Sequence, residues 1–176
     1  MRFARITLLL WLIGVAPAAH AEAEETVLWT GMQGVNWSRA EASSTPSSGA
    51  MAGAVGARYG LDDFWELAAQ LGAGATVIGA DRGALFGVAF LEARYTIDAL
   101  TWVPWVCAGG GTIVRDALDG DSLRADVTGH LGVGTDYRPA REWGLSFAMR
   151  AHVPFTDPGR SSGPVELTAA YAWYLD

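Results

Sequence analysis

Lysine is absent from this 176-residue chain, and charged residues of all kinds make up only 18% of it. A soluble domain usually covers itself with about 25–35% charged surface residues of both signs. The chain has a single cysteine, Cys107, so no internal disulfide can hold the fold together. The charge that is present is mostly acidic, with a formal net of -7. Nucleic-acid binding needs a basic surface, so this class of partner is excluded.

Long apolar runs are also scarce. The run Ile6–Val15 is about ten residues long, which is too short to span a bilayer as a helix. Arg2 and Arg5 precede it, Pro17 lies just beyond its end, and Ala19–Ala21 offers small residues to a signal peptidase. These are the features of a secretory signal peptide, so we expect the chain to be exported.

Removal of residues 1–21 leaves residues 22–176, a suitable length for one domain. This mature part keeps ten arginines and all nineteen acids, so its net charge is about -9. We find no linker, second domain or low-complexity tract in it.

Side chains alternate between apolar and polar with a period of two, which predicts β-strands. In Trp143–Phe155 the odd-numbered residues are apolar, whereas the even-numbered ones include Ser146, Arg150 and His152. Five segments carry this pattern clearly: Trp65–Val77, Leu85–Ile97, Leu123–Tyr137, Trp143–Phe155 and Val165–Leu175. Met51–Leu61 is weaker, and Val27–Ser38 and Trp102–Val114 are interrupted by glycine, so the facing of these last two stays open. The total is eight strands of about 10–14 residues.

The connections between these strands alternate in length. The first, fifth and seventh, Arg39–Ser48, Arg115–Ser122 and Thr156–Gly163, are the longer ones. In an up-and-down arrangement they emerge at the same rim, and membrane barrels have short turns at one rim and longer loops at the other. The pattern therefore predicts an all-β fold, an eight-stranded antiparallel up-and-down transmembrane β-barrel.

The composition of the polar face predicts that it points inward. Small residues dominate it, as a narrow interior requires, and its isolated charges nearly balance. Buried charges persist only when they are paired. We expect an interior network in which three arginines, Arg94, Arg124 and Arg150, pair with four acids, Glu66, Glu92, Asp126 and Glu166. The charged candidates are Arg58, Arg94, Arg124, Arg138 and Arg150 against Glu66, Glu92, Asp126, Asp136 and Glu166, with His130 and His152 on the same face.

Aromatic residues near the strand ends predict two interfacial girdles, as in membrane barrels. They are Trp29, Trp37, Tyr59, Trp65, Tyr95, Trp102, Trp143, Phe155 and Trp173.

With these features the chain resembles the small outer-membrane β-barrel proteins of the OmpA and OmpX type. The resemblance covers residues 22–176 and rests on pattern rather than on a sharp motif. Members usually end on an aromatic residue that the assembly machinery reads. Here Tyr171, Trp173 and Leu175 keep the alternation, but Asp176 ends the sequence.

The resemblance implies a non-enzymatic protein with a structural or surface-interaction role in the outer membrane of a Gram-negative bacterium. Its expected partners are outer-membrane lipid and lipopolysaccharide, the assembly machinery, and an extracellular partner of loops 39–48, 115–122 and 156–163. Three alternatives remain open: a small channel or conduit for small or apolar solutes, a lipid A-modifying hydrolase, and a soluble lipocalin-like binder.

Catalytic, metal and cofactor sites are not expected. An acyl-transfer serine needs an adjacent base, but Ser146 and His152 lie six residues apart on one strand face. Two mature histidines and one cysteine lack zinc-ligand spacing. Asp116, Asp119 and Asp121 lack the closing glutamate of a calcium loop, so we interpret them as a solvated turn.

Overall fold

The computed structural model describes residues 25–37, 48–78, 83–97, 101–116, 123–155 and 163–175, so the expected signal peptide lies outside the described residues. Within these ranges the chain forms eight strands. They are β1 Thr26–Trp37, β2 Ser48–Gly60, β3 Trp65–Ile78, β4 Leu85–Thr96, β5 Trp102–Asp116, β6 Leu123–Tyr137, β7 Trp143–Pro154 and β8 Val165–Leu175. No helix among the described residues is long and apolar enough to cross a membrane.

The strands form a closed antiparallel barrel, which confirms the predicted fold class. Each strand pairs with the next, and β8 pairs with β1 over the register from Thr26↔Leu175 to Asn36↔Val165. Two boundaries differ from the sequence pattern by more than one residue. β2 begins at Ser48, three residues before Met51, and β5 runs to Asp116, two residues beyond Val114.

The outer surface is apolar, as the alternation predicts. Large apolar side chains point outward along the strands, and Leu91 and Leu131 are each 70% exposed. An outer surface of this kind is typical of a barrel that faces lipid.

The structure also resolves the two strands whose facing was open. In β1 the odd-numbered residues Val27 and Trp29 point inward, and in β5 Val103 and Trp105 do so. Apolar residues occupy both faces of these strands, which is why they show no clean alternation.

The two rims of the barrel differ in their connections. β1 begins and β8 ends at one rim, here called the terminal rim, and the opposite one is the loop rim. At the terminal rim the β2–β3 turn is tight, because Asp62 Oδ1 accepts hydrogen bonds at 2.8 Å from the backbone N–H groups of both Phe64 and Trp65. At the loop rim Gly83 has a φ of 92°, a left-handed conformation that favours glycine, and its N–H donates to the Thr76 carbonyl at 2.8 Å.

Aromatic side chains concentrate at the terminal rim. Several of them contact each other there, as in the stacked rings of Trp143 and Tyr171 at 5.6 Å and the pair Trp102 and Tyr137 at 4.7 Å. Of the aromatic residues predicted for the second girdle, Phe155 is exposed at the loop rim, whereas the side chain of Trp37 lies outside the described residues. The prediction that Trp29 belongs to a girdle is wrong. Its side chain is only 6% exposed and points into the lumen, where Gly56 leaves space for the ring.

Candidate functional site

The lumen brings together most of the charged residues that the strand pattern placed on the inner face. Nine of them are at most 6% exposed: Arg58, Glu66, Glu92, Arg94, His130, Asp136, Arg150, His152 and Glu166. Asp126 is half-buried, and the side chain of Arg124 lies outside the described residues. The buried groups form two clusters.

Glu92 is the centre of the first group. Arg94 Nε donates to its Oε1 at 2.6 Å, and Arg150 reaches both of its oxygens at 2.8 Å through Nε and Nη2. His130 Nε2 lies 3.0 Å from Oε2. Two guanidinium groups therefore share one carboxylate in the lumen.

Glu166 extends this group toward β8. Arg150 Nη1 donates to its Oε1 at 2.8 Å, and His152 Nε2 lies 3.1 Å from its Oε2. Thr168 and Gln70 also donate to Oε1, at 2.8 and 3.2 Å. Arg150 thus joins two carboxylates, and we name the whole set the Glu92 cluster: Glu92, Arg94, His130, Arg150, His152 and Glu166.

The second group lies nearer the terminal rim. Arg58 pairs with Asp136 and lies 3.6 Å from Glu66, and Arg138 Nη2 lies 3.8 Å from Glu66. Ser146 Oγ donates to Asp136 Oδ1 at 2.6 Å. These residues, Arg58, Glu66, Asp136, Arg138 and Ser146, are the Asp136 cluster. The two clusters together contain four arginines and four carboxylates, so their formal charges balance when both histidines are neutral.

Trp105 connects the two clusters. Its indole Nε1 donates to Asp136 Oδ1 at 3.1 Å, and Arg94 stacks over its ring at 4.1 Å from the centroid. A side chain added at Gly134 would come within 2.2 Å of the same ring, so this position of β6 needs glycine. Trp105 was not among the predicted network residues, because the facing of its strand was open.

Asp126 belongs to neither cluster. It pairs at 2.6 Å with Arg115, and the side chains of this pair are 25% and 39% exposed, respectively. This pair forms because β5 is longer than predicted. Arg115, expected in a loop, is the penultimate residue of β5 and contacts Asp126 near the loop rim.

An apolar layer from β1, β2, β4 and β5 lies in the lumen on the loop-rim side of the Glu92 cluster. It consists of Val35, Ala50, Ala52, Phe86, Val88, Phe90 and Ile113, all buried and in one contiguous cluster. The ring of Phe90 lies 5.2 Å from that of His130 and 4.8 Å from that of His152. The layer was not anticipated, although Phe86, Val88 and Phe90 have the same parity on β4 as Glu92.

Metal-binding atoms do come close together at one point of the lumen. The ligand atoms of Glu92, Cys107 and His130 lie within 4.8 Å of one another. However, both oxygens of Glu92 already accept hydrogen bonds from Arg94 or Arg150. A cation there would have to displace these guanidinium groups, so the donor set suits an ion pair better than a metal.

The serine and histidine of β7 belong to different clusters. Ser146 donates to Asp136, whereas His152 contacts Glu166. This arrangement gives the serine no histidine base, and nucleophilic catalysis requires one or an equivalent group.

Comparison with known proteins gives structural matches alone. No family model and no curated protein matches the sequence. Among solved structures the chain is similar to Neisserial surface protein A, with 13% identity, a TM-score of 0.66 and coverage of 84% of this chain and 96% of that one. It is also similar to the outer membrane protein OprG of Pseudomonas aeruginosa, with 12% identity, a TM-score of 0.64 and coverage of 88% and 97%. The chain has the fold of the eight-stranded outer-membrane β-barrels.

A third structure of this fold contains a ligand. The attachment invasion locus protein Ail of Yersinia pestis, solved with the heparin analogue sucrose octasulfate, matches with 12% identity and a TM-score of 0.54 over 86% of this chain and 97% of that one. Identities this low establish the outer-membrane barrel fold and not a shared ligand.

Proposed function

We propose that this protein is a non-enzymatic outer-membrane barrel with a structural or surface-contact role and a closed lumen. The observation that carries the proposal is the filled interior. Two ionic clusters and an apolar layer occupy successive levels of the lumen, each built from buried side chains. Eight strands enclose a space that side chains can just fill, which makes the interior a plug and not a pore.

The proposed location is the outer membrane of a Gram-negative bacterium. Its support is the apolar outer surface, together with the leader-like segment 1–21. In this orientation the terminal rim is periplasmic and the apolar wall contacts lipid and the acyl chains of lipopolysaccharide. Tyr171, Trp173 and Leu175, which alternate along the outer face of β8, are the proposed signal for the assembly machinery.

Contact with the surroundings is assigned to the longer connections, predicted as 39–48, 115–122 and 156–163, of which Ser48, Arg115 and Asp116 belong to strands. The remaining residues of these connections contain two arginines and four acids. Ail was solved with a polysulfated ligand, but an acidic loop set repels such a polyanion. We therefore propose a neutral or basic extracellular partner for this chain.

Conductance in planar bilayers tests the closed lumen. The purified mature chain should give no stable single-channel currents, because a conducting path would have to cross the apolar layer and both ionic clusters. Regular channel openings by the wild-type chain would refute the plug and favour the alternative role as a small channel.

Cysteine labelling on intact cells tests location and orientation. A membrane-impermeant maleimide should label Ser44→Cys in the first long connection and should leave Asp63→Cys in the β2–β3 turn unlabelled until the outer membrane is permeabilised. Cys107 is buried and serves as the unreactive background. Folded protein recovered from the soluble periplasm would contradict the proposal and favour a lipocalin-like binder.

A further inference from the structure

A small cavity of about 10 Å³ lies in the lumen between the Glu92 cluster and the Asp136 cluster. Its polar lining comes from Trp29, Arg94, Ser146, Arg150 and Thr168, and two alanines complete it. About 10–15 Å³ is the least space that holds one water molecule, and such a water needs two to four polar partners.

Two side chains that line this cavity each have a buried donor with no hydrogen-bond partner among the described residues. These donors are Trp29 Nε1 and Arg94 Nη1, in side chains that are 6% and 3% exposed as whole residues. An unsatisfied buried donor loses its hydrogen bonds to water and gains none in return, so native structures rarely contain one.

Two hydroxyl groups at the same cavity have acceptor capacity to spare. Ser146 donates its proton to Asp136 at 2.6 Å, and Thr168 donates its proton to Glu166 at 2.8 Å. A hydroxyl oxygen has two acceptor lone pairs. Both lone pairs of the Ser146 oxygen are available to accept a hydrogen bond. One lone pair of the Thr168 oxygen is available, because the other accepts a 3.4 Å contact from Arg150 Nη1.

We propose that this cavity binds one water molecule, which accepts hydrogen bonds from Trp29 Nε1 and Arg94 Nη1 and donates to the hydroxyls of Ser146 and Thr168. Water matches two donors and two acceptors, whereas a halide would face the lone pairs of both hydroxyls. A cation would face the two guanidinium groups instead. The bound water gives the two clusters a second connection beside Trp105, through Ser146, which donates to Asp136, and Thr168, which donates to Glu166.

Nuclear magnetic resonance of the full mature chain in lipid nanodiscs tests this site, using water itself as the probe. The indole proton of Trp29, assigned by its loss in Trp29→Phe, should give a cross-relaxation peak to a long-lived water. Thr168→Val and Ser146→Ala each remove one acceptor and should abolish that peak. The matched control is Thr128→Val, which changes a buried lumen threonine that does not line the cavity and should leave the peak intact.

The wild-type measurement decides the proposal even if one of the variants does not fold. A folded barrel whose Trp29 indole proton shows no contact with water would overturn it. So would a shift of the Trp29 and Arg94 signals when bromide replaces chloride, because the occupant would then be an anion. Persistence of the peak in both acceptor variants would place the water elsewhere and would also overturn it.

Discussion

Replacement of Glu92 by glutamine is the most direct test of the lumen network. Glu92→Gln keeps the shape of the side chain and removes the charge shared by Arg94 and Arg150. Arg150 retains Glu166 at 2.8 Å. Arg94, whose side chain is 3% exposed, keeps its stacking on Trp105 but loses the carboxylate that its Nε contacts. One buried guanidinium thus loses its counter-charge, which typically costs about 3–5 kcal/mol.

The assay is urea unfolding of the refolded barrel in lipid vesicles, followed by tryptophan fluorescence and by heat-modifiable migration in gels. The matched control, Glu142→Gln, changes an exposed acid at the terminal rim and should alter the free energy of unfolding by no more than about 0.5 kcal/mol. Arg94→Met in the Glu92→Gln background should recover part of the loss, since it removes the stranded charge. The network as described is refuted if Glu92→Gln and Glu142→Gln have the same small effect.

Three further substitutions test other parts of the barrel by the same unfolding assay. Phe147→Arg should cost about 2–4 kcal/mol because this outward side chain meets the hydrocarbon, and a harmless result would reverse the facing of β7. Gly134→Ala should cost about 1–3 kcal/mol because its Cβ would lie 2.2 Å from the Trp105 ring, whereas Gly34→Ala, whose Cβ meets nothing within 4 Å, should be nearly neutral. Asp126→Asn should cost no more than about 1 kcal/mol, since its pair with Arg115 is partly exposed, and a larger loss would mean that this pair is a buried part of the network.

The strand pattern predicts the fold because a membrane barrel separates its two faces by polarity. On β7, Phe147 and Arg150 differ in parity, and this difference alone places one outside and the other inside. The same reasoning fails on β1 and β5, where Trp29 and Trp105 are large inward residues among apolar outward ones. On these two strands the facing depends on steric fit and not on polarity, because Gly56 leaves space for the Trp29 ring and Gly134 for the Trp105 ring.

Specific ion pairs could not be predicted, because they depend on strand register and tilt. The contact between Arg150 and Glu92 joins β7 to β4 across the lumen, and nothing local in either strand encodes it. The pair Arg115 and Asp126 was missed for a simpler reason, since β5 was expected to end before Arg115. The β4 residues of the apolar layer could be predicted to point inward, because they have the same parity as Glu92. Val35 and Ile113 could not, because they belong to β1 and β5, whose facing the sequence left open.

The ion pairs that cross the lumen have a consequence for how the barrel folds. Arg58 and Asp136 join β2 to β6, which lie on opposite walls, and Arg150 joins β7 to β4. None of these contacts can form in an open sheet, because the walls meet only after the seam between β8 and β1 has closed. In a partly assembled barrel these charged side chains would face the interior without their partners. Such intermediates are therefore less stable than both the unfolded chain and the closed barrel. We therefore expect the barrel to close in a single cooperative step. The interior ion pairs form only when every strand has its native register, so they disfavour closure in a wrong register.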